Sequence, residues 1–216
     1  MTLMLYGIIP SDSLATALRG IGGRPLRAVS SEGLTAIVSE QPTAPAADEE
    51  TLRAYAGTVE ALGELGTVLP ARFGTRLADE RAVVGMLGER REALSAMAAR
   101  VRDAVEMGVR MAAERREDAE AVDGSGPGHR YLRALLEERR RAEHLAGRID
   151  DAVGGLARER RVRLTPRPGT LLLGAFLVDA DAAAAFAQRI AGLGEPDLIV
   201  SGPWPPYSFV DALEAT

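Results

Sequence analysis

The order of strand-like and helical patterns along the chain limits its fold more than any other feature. A strand-like apolar run is followed by a helical pattern, two short strand-like runs, a second helical pattern and another strand-like run. The same order, β-α-β-β-α-β, begins again near residue 105. We therefore predict an α+β protein with two ferredoxin-like domains, in each of which four antiparallel strands carry two helices on one face.

Apolar spacing and turn signals place the individual elements. The first half is expected to contain strands at residues 3–9, 25–30, 34–39 and 67–73 and helices at 14–21 and after Asp48. The second half is expected to contain strands at 105–111, 162–165, 170–179 and 197–201 and helices at 130–160 and 181–193. The predicted domains are residues 1–78 and 105–216, joined by an amphipathic helix at 79–104.

The two longest helical patterns repeat apolar residues every seven positions. The repeat consists of Leu87, Leu94 and Val101 in the first helix and Leu135, Ala142, Ile149 and Leu156 in the second. This spacing is typical of coiled coils, although two ordinary helices that each cover a sheet also show it. We expect long, partly coiled-coil-like helices.

Composition argues against several classes of protein. The chain has no cysteine and only two histidines, so a disulfide framework is excluded and a zinc site is not expected. No apolar run is long enough to span a bilayer, and no basic segment precedes the first apolar run, so we expect a cytoplasmic protein without a signal peptide. All 26 basic residues are arginines, and they are outnumbered by 31 carboxylates, which disfavours nucleic-acid binding.

Candidate catalytic features are weak. The glycine-rich stretch at 124–130 lacks the GK[ST] of a phosphate loop and is interpreted as a plain turn. The arginines at 139–141 and 158–163 lie among glutamates and predict a salt-bridged surface. We therefore predict a binding or assembly protein, with no enzymatic activity, no cofactor and no metal.

Two motifs combine proline with aromatic residues. The first, VLPARFGT at 68–75, contains Leu69, Pro70, Arg72 and Phe73. The second, SGPWPPYSFV at 201–210, contains Pro203, Trp204, Pro205, Pro206, Tyr207 and Phe209. Proline fixes φ and has no N–H, so the second motif is expected to end a strand as a stiff segment. Its rings either pack over a core edge or form a rigid platform for a partner.

Together with LYGII near the start, these motifs resemble the gas vesicle GvpF/GvpL family over essentially the whole chain. The resemblance implies two α+β domains with a coiled-coil-like helical part. It also implies an accessory component that acts on the small, hydrophobic shell protein GvpA, limiting its aggregation and aiding vesicle nucleation. The expected locations are the gas vesicle and the cytoplasm, and other gas vesicle accessory proteins are further expected partners.

Two hypotheses for the motif residues remain open. Either they form a shared apolar surface for GvpA, or they brace the two domains. For the whole chain, the alternative function is a regulatory module on ferredoxin-like domains that binds a small ligand or nucleotide, because this fold hosts both kinds of activity.

Overall fold

The structure is a computed structural model of the chain, and it describes residues 2–11, 18–112, 127–167 and 170–210. The chain forms two compact units. The first unit contains Met1–Ala104 together with Trp204–Thr216, and the second contains Val105–Pro203. The C-terminal motif from Trp204 onward therefore belongs to the first unit, whereas the sequence pattern grouped it with the second half of the chain.

The first unit is built on an antiparallel sheet whose strand order is β2-β3-β1-β4, with β5 also paired to β1. The strands are β1 (Thr2–Ile9), β2 (Arg27–Ser31), β3 (Leu34–Gln41), β4 (Leu69–Pro70) and β5 (Arg76–Leu77). The predicted hairpin is confirmed as β2 and β3. The helix predicted at 14–21 falls largely on residues 12–17, which lie outside the described residues, and Ile21–Gly23 forms a 3-10 helix.

The strand predicted at 67–73 is shorter than expected. Only Leu69 and Pro70 pair with β1, because proline offers no N–H to continue the ladder and the chain then turns. The backbone N–H of Thr75 closes this turn by donating to the carbonyl oxygen of Arg72 at 3.1 Å. Pairing with β1 resumes at Arg76.

Three helices complete the described part of the first unit: α1 (Glu49–Glu64), α2 (Glu80–Glu89) and α3 (Arg91–Arg100). The Asp48 side chain caps α1 by accepting from the Thr51 backbone N–H at 2.8 Å. The prediction of a single helix at 79–104 is wrong in one respect, because two helices, α2 and α3, occupy this range. Arg90 has φ −108° and ψ 10°, which are not helical values and separate the two helices.

Both faces of the first sheet are covered. Every residue of β1 from Leu3 to Ile9 is buried, which requires packing on both sides because successive side chains point to opposite faces. Met4 and Tyr6 pack in a cluster with residues of α1. Helix α2 contacts β2 and β3 and covers the opposite face. The unit therefore has helices on both sides of its sheet.

The second unit has a sheet with the order β7-β8-β6-β9. Its elements are β6 (Ala104–Met111), α4 (Pro127–Val153), β7 (Ala157–Arg167), β8 (Thr170–Asp179), α5 (Ala183–Ala191) and β9 (Leu198–Trp204). In both sheets the second strand is at one edge, followed by the third, the first and the fourth. The two halves of the chain thus share one strand order.

Helices α4 and α5 lie on the same face of the second sheet. Their apolar residues form one core cluster with Met107 and Val109 of β6 and with Leu172 and Phe176 of β8. Helix α4 ends earlier than the predicted residue 160, because the chain turns at Gly154 and Gly155, where φ is 77° at Gly155. Strand β7 is correspondingly longer than predicted. None of the helices in the described ranges is both long and apolar enough to cross a membrane.

Candidate functional site

The VLPARFGT motif is attached to the central strand of the first unit. Leu69 and Pro70 are buried and lie opposite Ile8 and Gly7 of β1. The backbone N–H of Ala71 donates to the carbonyl oxygen of Tyr6 at 2.9 Å. The buried part of this motif is thus fixed by backbone hydrogen bonds and by packing.

The close approach of this motif to β1 depends on Gly7. A Cβ atom at Gly7 would lie 2.8 Å from Cγ2 of Val68 and 2.9 Å from the carbonyl oxygen of Leu69. Since both atoms belong to the packed motif, the Gly7→Ala variant should lose about 1–3 kcal/mol of unfolding free energy. Urea unfolding of the purified variant measures this loss.

Gly57 provides the matched control for that substitution. A Cβ at Gly57, in the middle of α1, would meet no atom within 4 Å. The Gly57→Ala variant should therefore gain up to about 1 kcal/mol from helix propensity. Equal effects of the two substitutions would show that β4 does not need the close approach.

The second motif turns into the first unit after Trp204. Pro205 and Pro206 are buried, and Phe209 has no exposed surface. The Tyr207 N–H donates to the carbonyl oxygen of Pro205 at 2.7 Å, and the Phe209 N–H donates to that of Pro206 at 3.0 Å. These bonds form a tight turn that directs the Phe209 ring inward.

Helix α3 anchors the same turn. Arg100, in the last turn of α3, donates from Nη2 to the carbonyl oxygen of Phe209. A charged donor strengthens such a bond relative to a neutral one. On the other side, a Cβ at Gly63 near the end of α1 would be 3.7 Å from Cγ of Pro205, which is ordinary van der Waals contact. Arg100 therefore holds the tail to α3, and the end of α1 at Gly63 lies close beside Pro205.

An aromatic cluster brings the two motifs together. We call Tyr6, Tyr55, Phe73 and Tyr207 the tyrosine cluster. The rings of Tyr6 and Tyr55 stack at 5.1 Å, and Phe73 meets Tyr55 edge-on at 5.4 Å. Phe73 and Tyr207 both pack against the core to which Tyr6 and Tyr55 belong. One ring from each motif therefore contacts the same core.

Hydrogen bonds fix the orientation of the two inner phenols. The Tyr55 hydroxyl lies 3.0 Å from the carbonyl oxygen of Leu5 and 2.8 Å from that of Ala71, and it donates to this pair. It thereby links α1 to both β1 and the first motif. The Tyr6 hydroxyl accepts from the Ile21 N–H at 2.9 Å and also bonds to the Ser39 hydroxyl at 3.0 Å.

Burial changes the acidity of two phenols in the cluster. It raises the pKa of Tyr55 far above its usual value, and the neighbouring Tyr207 and Tyr6 phenols add to this rise. Burial also raises the pKa of Tyr207, with a further contribution from the Glu60 carboxylate. Both groups are therefore neutral at physiological pH.

The candidate residues divide into a buried and an exposed group. Leu69, Pro70, Pro205, Pro206 and Phe209 are buried, and Phe73 and Tyr207 are half-buried. The exposed group contains Arg72, Pro203 and Trp204, and Trp204 has 42% of its surface accessible. An exposed tryptophan next to buried anchors is suited to contact a partner.

Sequence reasoning missed three residues that build this site. Tyr6 and Tyr55 were placed in a strand and a helix, but nothing linked them to the motifs. Their signal was available, because the chain has few aromatic residues and four of them meet here. Nothing in the sequence distinguished Arg100 from the other arginines, of which the chain has 26 in total.

The other sequence candidates form no comparable site. Residues 124–126 of the glycine-rich stretch lie outside the described residues, and α4 begins at Pro127. Arg139 pairs with Glu143, and Arg160 pairs with Asp150, as expected for a salt-bridged surface. Across the described ranges, no group of three or more His, Asp or Glu side chains is arranged to hold a metal ion.

Comparison with known sequences gives matches over most of the chain. Residues 2–211 match the family model described as gas vesicle synthesis protein GvpL/GvpF. The chain is 32% identical to gas vesicle protein F of Streptomyces sp. (strain CB03234) over 238 residues, covering 98% of this chain and 100% of that relative. It is 29% identical to gas vesicle protein L of the same strain over 187 residues, covering 76% of this chain and 70% of that relative.

Comparison with solved structures shows a common fold. The crystal structure of GvpF from Anabaena sp. PCC7120 matches with a TM-score of 0.82 and 20% identity, covering 100% of this chain and 98% of that one. GvpF from Microcystis aeruginosa matches with a TM-score of 0.81 and 18% identity, covering 97% and 99%. The mixed α+β class predicted from the sequence is confirmed.

Proposed function

The chain belongs to the GvpL/GvpF family of gas vesicle synthesis proteins, and from this membership we propose that it is an assembly factor or minor structural component that binds the hydrophobic shell protein GvpA. Participation in gas vesicle formation follows from the family itself. The proposed role is narrower: the chain limits aggregation of GvpA and aids vesicle nucleation. It acts in the cytoplasm and at the growing vesicle, where other gas vesicle proteins are further partners.

The exposed Trp204 is the observation that carries this proposal. Trp204 keeps 42% of its surface accessible, while the next two residues, Pro205 and Pro206, are buried. A stiff backbone loses little conformational entropy on binding, and tryptophan is enriched among residues that dominate binding energy. A hydrophobic protein such as GvpA is a suitable partner for such a platform.

Of the two hypotheses for the motif residues, we propose the GvpA contact for the exposed residues and, in place of a brace between the two domains, a local stabilising role for the buried ones. Trp204, Pro203 and Arg72 are proposed to contact GvpA. The buried members, Leu69, Pro70, Pro205, Pro206 and Phe209, are proposed to stabilise the platform. Phe73 and Tyr207 are half-buried members of the tyrosine cluster, and we propose that they connect the exposed residues to the buried ones.

We further propose that both units are ferredoxin-like βαββαβ domains. The strand order shared by the two sheets supports this classification. For α4 we propose a coiled-coil-like contact in its first half, where Leu132 and Leu136 are one helical turn apart and both mostly exposed.

Co-purification with GvpA tests the proposed contact. Replacing Trp204 with alanine should weaken GvpA binding by at least about 30-fold, the effect of losing roughly 2 kcal/mol at a central interface residue. Thermal unfolding of the Trp204→Ala variant should stay closer to that of the original chain than unfolding of a variant at a fully buried position, because Trp204 belongs to neither described core cluster and is 42% exposed. GvpA recovered with tagged chain after co-expression measures the binding.

Leu52 supplies the control, since it is exposed to the same fraction of 42% but lies on α1. The Leu52→Ala variant should retain GvpA. Full recovery of GvpA with Trp204→Ala, or equal loss with both variants, would contradict the proposed platform.

A further inference from the structure

We infer that helix α2 is a salt-sensitive lid over one face of the first sheet, and that it opens while the rest of the first unit stays folded. The sheet face below α2 is apolar, α2 itself contains two glycines, and exposed ion pairs fasten both of its ends. The lid is independent of the proposed GvpA contact, because its opening is measured on the chain without any partner.

Helix α2 covers an apolar part of the hairpin formed by β2 and β3. Val29 lies opposite Ala36, and Arg27 lies opposite Val38. Arg27 binds Glu80 of α2, which places this row of residues on the α2 side of the sheet. Val29, Ala36 and Val38 are at most 3% exposed. Opening of α2 therefore exposes apolar surface that is buried in the closed state.

The sequence of α2 gives it a low intrinsic tendency to remain helical. Gly85 lies in the middle of this ten-residue helix and Gly88 in its last turn, and glycine has a far lower helix propensity than alanine. A Cβ at either position would meet no described atom within 4 Å, so packing in the described chain does not require glycine there. Only Val83 and Leu87 of this helix are fully buried. Segments with few buried contacts open more readily than the core.

Helix α1, on the other face of the sheet, is held more firmly. It also contains an interior glycine, Gly57, but it is 16 residues long and buries Tyr55, Thr58, Val59 and Leu62. The Tyr55 hydroxyl also bonds to the backbone of β1 and of the first motif. We therefore expect α1 to stay in place when α2 opens.

Two exposed ion pairs fasten α2 to the hairpin. At its start, Arg27 Nη2 lies 2.8 Å from Glu80 Oε2. Just beyond its end, Arg91 Nε lies 3.1 Å from Oε2 of Glu32 in the hairpin turn. Such pairs contribute little in water and are screened by salt. The non-helical backbone of Arg90 separates α2 from α3 and provides a hinge.

Labelling of a buried thiol measures the opening, because the chain has no cysteine of its own. Val29→Cys places a thiol under α2, and Val59→Cys makes the same substitution on the buried side of α1. At low salt and without urea, the first variant should react with iodoacetamide at least about tenfold faster than the second. Each rate is divided by the rate for the same variant unfolded in urea.

Alanine in place of the two glycines should keep the lid closed. In the Val29→Cys chain, Gly85→Ala with Gly88→Ala should slow labelling by about tenfold, because both changes favour the helix. Gly57→Ala is the control, since it stabilises α1 and should leave this labelling rate unchanged.

Salt should act through the two ion pairs. High salt should speed labelling of the Val29→Cys chain by about threefold. Arg27→Gln with Arg91→Gln should remove this salt effect. Arg53→Gln with Arg139→Gln breaks two exposed pairs elsewhere and changes the net charge equally, so it should leave the salt effect intact.

Equal labelling of the two thiols, with the same dependence on urea, would overturn the lid, because both would then report unfolding of the whole unit. A salt effect that survives Arg27→Gln with Arg91→Gln would overturn the role of the ion pairs. Hydrogen exchange of the unmodified chain tests the lid without any substitution. Amides of α2 should exchange at least about tenfold faster than those of α1 after correction for intrinsic rates, and equal protection would contradict the inference.

Discussion

Truncation of Phe209 to alanine is expected to lower the unfolding free energy of the first unit by about 3–5 kcal/mol. The ring has no exposed surface, so its removal deletes buried apolar contacts and leaves a cavity. The backbone bonds at this position, including the one from Arg100, do not involve the ring. The expected loss therefore reports packing alone.

Urea unfolding followed by tryptophan fluorescence measures this effect, because the only tryptophan, Trp204, lies in the first unit. Phe209→Leu keeps most of the volume and should cost less than about 1.5 kcal/mol. Trp204→Ala, followed by far-ultraviolet circular dichroism, should change stability far less than Phe209→Ala. If the Phe209→Ala loss is no larger than that of Trp204→Ala, the tail does not anchor in the core.

Alkaline pH should destabilise the first unit through its buried phenols. The chain has no cysteine and no lysine, so its four tyrosines are the side chains that titrate above about pH 9 and below the range of arginine. In the folded state, burial raises the pKa values of Tyr55 and Tyr207 above the ordinary value of 10.0. Folding thus favours the neutral phenol.

The sign of the pH dependence follows from this. The contribution of the two neutral phenols to folding stability is complete below about pH 10. It is lost as the pH rises above that value, because these tyrosines ionise in the unfolded chain first. Each phenol held neutral contributes a slope of about 1.4 kcal/mol per pH unit, and the half-buried Tyr207 should contribute less than Tyr55. Unfolding free energies between about pH 9 and about pH 11.5 measure the slope.

Phenylalanine variants separate this effect from general charge repulsion. Tyr55→Phe removes the hydroxyl that donates to Leu5 and Ala71 and should lower stability by about 1–3 kcal/mol at neutral pH. The same variant should show a flatter decline above pH 10, and added salt should not abolish the difference. An unchanged alkaline slope in both Tyr55→Phe and Tyr207→Phe would contradict the assignment.

Part of the site could be read from the sequence and part could not. The density of proline and aromatic residues singled out both motifs. The same pattern could not separate Trp204 from Phe209, although one is substantially exposed and the other is fully buried. Both are large rings on one short tail, and only the turn at Tyr207–Phe209 determines which of them reaches the core.

The fold shows a similar division. Alternation of apolar residues correctly predicted β6. Of the four residues expected on one face, Met107, Val109 and Met111 are buried and Val105 is half-buried. The seven-residue spacing around Arg90 predicted one continuous helix, because a break of a single residue leaves the spacing intact. In α1 the helical spacing of apolar residues predicts one buried stripe of Leu52, Tyr55, Val59 and Leu62, but Leu52 is exposed and only the other three are buried.

By itself, the sequence determined the number and order of most strands and helices and the α+β class. The order of these elements and the fold class follow from the spacing of apolar residues over short stretches, which can be read directly from one sequence. Only the tertiary structure decided that the tail anchors in the first unit and that Tyr6 and Tyr55 join its motifs. Those features depend on contacts between residues far apart in the chain, and no local pattern encodes which distant element will cover a side chain or leave it exposed.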